Sequence, residues 1–195
     1  MTVLALSTSS PALSIALVDG PRLIARRHEL IGRGHAEALV PAIADLLAGS
    51  RPDAIIVDIG PGSYTGIRIG IAAARALGVA WGVPVHGASA LSLVAAQALA
   101  ADPALAAVFA LIDAGRGHAA GALIKRDLVS PATVLMPVLM PALMSMLADG
   151  AALAGAGAAL LPGAIALHLD HPDAAFAGHL PAAALGLPQA LYAGD

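Results

Sequence analysis

The stretch from Asp53 to Ser89 holds the residues whose types and spacing bear most directly on chemistry. An apolar, β-branched run, Ile55 to Ile59, stops at Gly60-Pro61-Gly62, and Gly66 follows four residues later. Three glycines in seven residues let the backbone approach something that a side chain would exclude, such as a phosphate. Familiar phosphate and nucleophile motifs nevertheless fail on the letters. A dinucleotide fingerprint places its third glycine at Thr65, and a Walker A loop needs a lysine that is absent from this region. A nucleophile elbow needs glycine two residues before Ser63, where Pro61 stands.

Metal-ligating and acid–base groups are sparse. His35 has Leu39, not a second histidine, four residues on, so it lacks the helical pair that would hold a metal on one face. His168 and His171 lie near Asp170 and Asp173, but Pro172 between them and the lack of a regular local pattern favour a solvated loop. Arg68 and Arg75, seven apart, share one stripe of a helix and fit a solvated face, an anion contact or a salt bridge across an interface. With no cysteine there is no thiolate chemistry and no disulfide framework, which fits the cytosol.

The elements that position these groups follow from glycine and proline punctuation. Three opening strands are expected at Val3 to Leu6, Leu13 to Val18 and Leu23 to Glu29, the last charged and near an edge. A helix from His35 to Ala48 follows, with Leu39, Ile43, Leu46 and Leu47 on one face and Pro41 bending its first turns. Then come the strand Ile55 to Ile59, a helix from Gly66 to Gly82, the short strand Val83 to Val85 and a helix from Ala88 to Ala101. Asp102-Pro103 marks a boundary. Strands Ala106 to Ile112 and Ala119 to Lys125 then echo the opening of the chain, a repeat of fold rather than of sequence. Residues 151 to 161 read as a short strand that breaks at Gly155 into a helix.

Bulk composition bounds the class. The 195 residues are enough for one large domain or two small ones with a sizeable core. Hydrophobic residues reach 58% and mean hydropathy is +0.83, which raises the question of a membrane. The longest uncharged run, Ala76 to Ala101, is broken by Gly78, Gly82, Pro84 and Gly87. The next, Leu128 to Leu147, carries Pro131, Pro137 and Pro141. Much of the apolar count is alanine, and no basic leader with a long apolar core opens the chain, so a soluble protein is expected. A net charge of −3 and 3% aromatics argue that the chain does not grip nucleic acid by itself.

Inside the helix after the glycine turn, Gly66, Gly70, Ala74, Gly78 and Gly82 recur every fourth residue and form a ridge of small side chains. Each interior glycine costs roughly 0.8–1 kcal/mol against alanine, so close packing must compensate. The ridge fits either the chain's own sheet or another subunit.

Gly60-Pro61-Gly62-Ser63-Tyr64-Thr65-Gly66-Ile67-Arg68-Ile69-Gly70 carries a resemblance, with His35 to Pro41 upstream and Val85 to Ser89 downstream. The chain resembles the bacterial TsaB (YeaZ) family, from the glycoprotease-like branch of the actin/sugar kinase/Hsp70 fold. The likeness covers residues 3 to 100. Asp113-Ala114-Gly115-Arg116 resembles the family's Asp-Ala-Arg turn with an inserted glycine, and only Pro188 to Tyr192 resembles its ending.

The resemblance implies a two-lobed, actin-like α/β fold, each lobe a mixed sheet with helices. The N-terminal lobe would span residues 1–102 and carry the partner-binding helices, with a reduced C-terminal lobe over 103–195. It also implies a non-catalytic subunit needed for N6-threonylcarbamoyladenosine at position 37 of tRNAs that read ANN codons. Such a subunit pairs with and activates a TsaD-type transferase, is joined by a TsaE-type ATPase, and meets tRNA through the complex in the cytoplasm. It forms a homodimer when that partner is absent. The expected partner face comprises His35, Leu39, Gly66, Arg68, Gly70, Ala74, Arg75 and Gly78. Thr8, Gly60, Gly62 and Ser63 are the residues placed to meet a nucleotide phosphate, with no metal and no cofactor of the chain's own, and ATP or ADP entering at the level of the complex.

Family members often end the first strand in Asp-Thr-Ser, where this chain has Ser7-Thr8-Ser9. Without that carboxylate, metal-assisted phosphoryl transfer is hard to support, which weakens the rival reading of a small-molecule kinase or ATPase. A peptidase fares worse, with no cysteine, metal pair or Ser/His/Asp set placed by motif.

Overall fold

The computed structural model describes residues 1–115, 118–126, 152–160 and 171–192. Among the described residues, eight strands and three α-helices run in the order β1 (Thr2–Ser7), β2 (Ala12–Asp19), β3 (Arg22–Leu30), α1 (His35–Leu47), β4 (Ala54–Asp58), α2 (Tyr64–Trp81), β5 (Val85–Ala88), α3 (Ala90–Ala101), β6 (Ala107–Gly115), β7 (His118–Lys125) and β8 (Ala152–Ala154). The first five strands form one mixed sheet in the order β3-β2-β1-β4-β5. β1, β2 and β3 pair antiparallel, whereas β1–β4 and β4–β5 are parallel because a helix returns the chain before each new strand. β3, the charged strand, is at the edge as expected.

Strand alternation divides the core in two. Leu4, Leu6, Leu13, Ile15, Ile55 and Val57 point to the face covered by α1 and α2, which contribute Leu39, Ala42, Ile43, Leu47, Ile67, Ile71 and Ala74. Val3, Ala5, Ala16, Val18, Ala54 and Ile56 point to the other face, where Leu93 of α3 meets Ala174, Ala175 and Ala177 from a short 3-10 turn, Ala174–His179. Burying a side chain such as Ile67 contributes about 1.5–3 kcal/mol.

A second sheet, β7-β6-β8, pairs β6 antiparallel with β7 and parallel with β8. This repeats the β2-β1-β4 fragment of the first sheet, the echo expected from the sequence. Its core partner is α3, whose Leu91, Val94, Ala95 and Ala98 cluster with Val108, Ala110, Ile112, Ala122 and Ala154. Gly155, at φ 104°, ends β8 and admits the 3-10 turn Ala156–Leu160, so the expected strand–break–helix is present with a tighter helix.

The chain finally returns to the first sheet. Gly186 and Gly87 exchange backbone bonds at 2.8 and 2.9 Å, and the Leu191 N–H donates to the Ile59 carbonyl at 2.7 Å. Residues 186–192 therefore lie as a strap across the C-terminal ends of β4 and β5. No helix among the described residues is long and apolar enough to cross a membrane. The proline-rich stretch from Pro131 to Pro141, and His168 with Asp170, fall outside the described residues.

Candidate functional site

The ends of β1 and β4 meet at a carboxylate that sequence reading passed over. Asp58, the last residue of β4, is 1% exposed. Its Oδ2 accepts from the hydroxyls of Ser7 (2.6 Å) and Ser9 (2.5 Å), and its Oδ1 from the Gly60 N–H (2.8 Å). Burial pushes the Asp58 carboxyl up from its ordinary value, against the opposing pull of those three donors. A charged residue ending an otherwise apolar strand, just before Gly-Pro-Gly, was the signal that could have found it.

The glycine turn serves this junction. A Cβ on Gly62 would lie 2.3 Å from the Ser9 carbonyl oxygen, and one on Gly60 would lie 2.5 Å from that of Leu191. The Ser63 N–H donates to Ser9 O at 2.6 Å, and Thr8 Oγ1 donates to Gly66 O at 2.7 Å. Thr8, Gly60 and Gly62 are thus committed to contacts within the chain, which departs from the expectation that they face a phosphate. Ser63 is exposed, but its hydroxyl caps α2 by accepting from the Gly66 N–H at 3.2 Å. This cap starts α2 at Tyr64, two residues before the glycine that the sequence suggests.

A cleft of about 360 Å³ opens beside the turn, lined by Ser10, Ser63, Tyr64, Ile112, Asp113 and His171 among others. Among the described residues no group of three histidines and carboxylates could hold a metal ion.

The small-residue ridge of α2, expected on a partner face, packs closely within the chain from Gly66 to Gly78. A Cβ on Gly66 would meet Thr8 O at 1.9 Å, one on Gly70 would meet Thr8 Oγ1 at 2.6 Å, and one on Gly78 would meet Val85 Cγ2 at 2.4 Å. Ala74 is fully buried, as is Leu39 of α1. His35 is buried at the start of α1, with Nε2 3.3 Å from Ala12 O. Gly66, Gly70 and Gly78 are explained by close approach of α2 to the β1 loop and to β5, whereas Gly82 is exposed and serves as the left-handed C-cap of the helix.

The outer side of the same two helices is what stays exposed. On α2 it presents Thr65, Ala72, Ala76, Val79 (86% exposed) and Ala80, and on α1 it presents Ala36, Val40 (54%) and Ala44. Arg68 and Arg75 lie on the flank next to the strap. Arg68 Nε donates to Tyr192 Oη at 3.0 Å and its guanidinium lies 3.7 Å from the centroid of the Tyr64 ring. Arg75 Nη2 donates to Pro188 O at 2.7 Å.

A second buried polar cluster ties the returning chain to the back of the first sheet. Asp173, 1% exposed, accepts from Arg26 (Nη2 at 2.5 Å, Nε at 3.2 Å), from Ser14 Oγ (3.2 Å) and from the Ala175 N–H (3.0 Å). Ser14 Oγ lies 2.9 Å from His28 Nδ1, which is itself 3.8 Å from Asp173 Oδ1. This brings Ser, His and Asp together, yet without the geometry of a nucleophilic triad. Serine and carboxylate share one ring nitrogen instead of flanking the ring, and Ser14 is fully buried and accepts from the Ala174 N–H. Burial lowers the His28 pKa, and the nearby Asp173 charge opposes that shift. The sequence could not show this set, whose members lie up to 159 residues apart.

The family model described as TsaD, tRNA N6-adenosine threonylcarbamoyltransferase, matches residues 28–132. The chain is 35% identical over 123 residues to the tRNA threonylcarbamoyladenosine biosynthesis protein TsaB of Bacillus subtilis, covering 60% of this chain and 52% of the other. It is 35% identical over 132 residues to the protein of the same name from Escherichia coli, covering 65% and 56%. Among solved structures, YeaZ from Pseudomonas aeruginosa superposes with a TM-score of 0.70 at 31% identity, covering 90% of this chain and 87% of that one. The chain spans about half the length of the curated relatives it matches.

Proposed function

The chain belongs to the TsaB (YeaZ) family, and from that membership we propose that it is a non-catalytic subunit in the formation of N6-threonylcarbamoyladenosine on tRNA. The likeness to YeaZ over 90% of the chain carries this reading. The subunit pairs with and activates a TsaD-type transferase, which acts at position 37 of tRNAs reading ANN codons. A TsaE-type ATPase joins the complex, and nucleotide enters at that level. The setting is the cytoplasm, and a homodimer forms when the transferase is absent.

The site chemistry supports a binding role. The carboxylate where β1 and β4 meet is sealed by Ser7, Ser9 and Gly60. Thr8, the residue a phosphate would need, is engaged with Gly66. The Ser14, His28 and Asp173 set is spent on anchoring. Among the surfaces that the first lobe, residues 1–102, offers to solvent is the outer side of α1 and α2, where alanines lie with Val40 and Val79 beside Glu37 and Asp45 of α1. Small apolar side chains allow another helix pair to approach closely, so we assign the partner contact to this outer side.

Light-scattering size exclusion of the chain mixed with the TsaD-type protein of the same cell tests the pairing. A one-to-one heterodimer that replaces any homodimer supports it, and two separate peaks sink it.

A further inference from the structure

Both tyrosines of this aromatic-poor chain lie at one place on the surface. Tyr64 opens α2 and Tyr192 ends the strap, 128 residues later, yet their ring centroids are 5.0 Å apart. Arg68 joins them, its guanidinium on the Tyr64 ring and its Nε on the Tyr192 hydroxyl. Tyr64 is 54% exposed and Arg68 is exposed. At 3.6 residues per turn, Tyr64, Arg68 and Arg75 fall within about 40° of one another around α2. Thr65 and Ile69 instead line a cavity with Gly34 to Glu37 at the start of α1. The tyrosine–arginine cluster is therefore on the strap flank of α2, bordering the outer side of the helix, where Val79 is about 20° from Arg68.

Tyr192 is half-buried against the core under α1 and α2, whereas Tyr64 leaves its ring largely in solvent, an unusual use of one of the few aromatics available. Packing explains Tyr192 in part, since its hydroxyl helps to pin the strap, but it does not explain an exposed Tyr64. Planar side chains of this kind stack unpaired bases whatever their identity, and a fixed guanidinium adds both a stacking plane and a positive charge. Held between a ring and a hydroxyl, Arg68 also loses less freedom on binding than a free arginine would.

We propose that Tyr64, Arg68 and Tyr192 form a stacking platform for an unpaired base of RNA bound to the complex. The proposal rests on the reading of the chain as a subunit of a tRNA-modifying assembly. It adds a direct contact between this subunit and the RNA. The platform supplies little affinity alone, because the chain's net charge of −3 offers the phosphate backbone no general attraction.

The test titrates a fluorescent tRNA anticodon stem-loop into the heterocomplex with the wild-type chain and its Tyr64→Leu, Tyr64→Phe and Arg68→Lys variants, each first checked for an unchanged melting temperature and for pairing by size exclusion. Tyr64→Leu is expected to weaken RNA binding about fivefold or more, and Arg68→Lys to weaken it too. Tyr64→Phe, which keeps the ring, should bind like wild type. Equal affinity for Tyr64→Leu and wild type overturns the platform, as does loss of pairing in Tyr64→Leu, which would make the cluster a protein contact. Should the wild-type chain not pair at all, the functional reading fails. The platform, which acts on RNA held by the complex, then falls with it.

Discussion

Thr8 and Gly66 lock the loop after β1 onto the first turn of α2. The Thr8 hydroxyl donates to the Gly66 carbonyl at 2.7 Å, and a Cβ on Gly66 would lie only 1.9 Å from the Thr8 carbonyl oxygen. The glycine ridge is thus a record of internal approach, and its first member cannot carry a side chain unless the helix or the loop moves.

Gly66→Ala should therefore destabilise the fold by about 1–3 kcal/mol, the usual cost of overpacking. At about 2–4 °C per kcal/mol for a chain of this size, the melting temperature followed by circular dichroism should fall by several degrees. Thr8→Val, which removes one of two donors to the Gly66 carbonyl and leaves the helical Gly70 N–H in place, should cost about 0.5–1.5 kcal/mol. A Gly66→Ala chain as stable as wild type would mean that the helix start is not packed as described.

Substitutions on the outer side of α2 should act in the opposite sense. Val79 is 86% exposed and Ala72 and Ala76 are exposed, so Val79→Glu and Ala76→Glu should leave the melting temperature within about 1 °C of wild type. Both should weaken pairing with the transferase at least tenfold by calorimetric titration. Unimpaired pairing in both variants would remove the outer side of α2 from the contact.

How far the sequence speaks is clear from this helix. Glycines every fourth residue announce a close approach and their cost in helix stability, but not which side of the molecule approaches. That depends on Thr8 and Val85, which no local pattern ties to Gly66 and Gly78. Strands and helices bounded by glycine and proline were legible within a few residues. The helix start was misplaced because Ser63 caps three residues ahead of the glycine. Asp58 was missed because an aspartate closing a strand has the look of a turn residue, and only its partners Ser7 and Ser9 reveal its burial. The Arg26–Asp173 pair spans 147 residues and has no local signature at all.

Asp58 makes a prediction about pH. Burial raises its folded-state pKa above that of the unfolded chain, so the folded state favours the protonated form. Its stabilising contribution is then complete below the unfolded pKa, near about pH 4, and is lost as pH rises through the folded pKa. Asn in its place keeps an acceptor for the Gly60 N–H and carries no charge. The melting temperature of Asp58→Asn, relative to wild type, should therefore rise as pH increases from about 4 through the folded-state pKa of Asp58. A difference that does not change with pH would show that Asp58 does not titrate in the folded state as its burial implies.

The most direct measurement is reconstituted modification of a tRNA with a TsaC-type enzyme, the TsaD-type transferase and the TsaE-type ATPase of the same cell, with this chain added or withheld. The nucleoside is then read by mass spectrometry. The account predicts N6-threonylcarbamoyladenosine only when the chain is present, and its loss with Val79→Glu although the chain stays folded. Equal modification without the chain would contradict it.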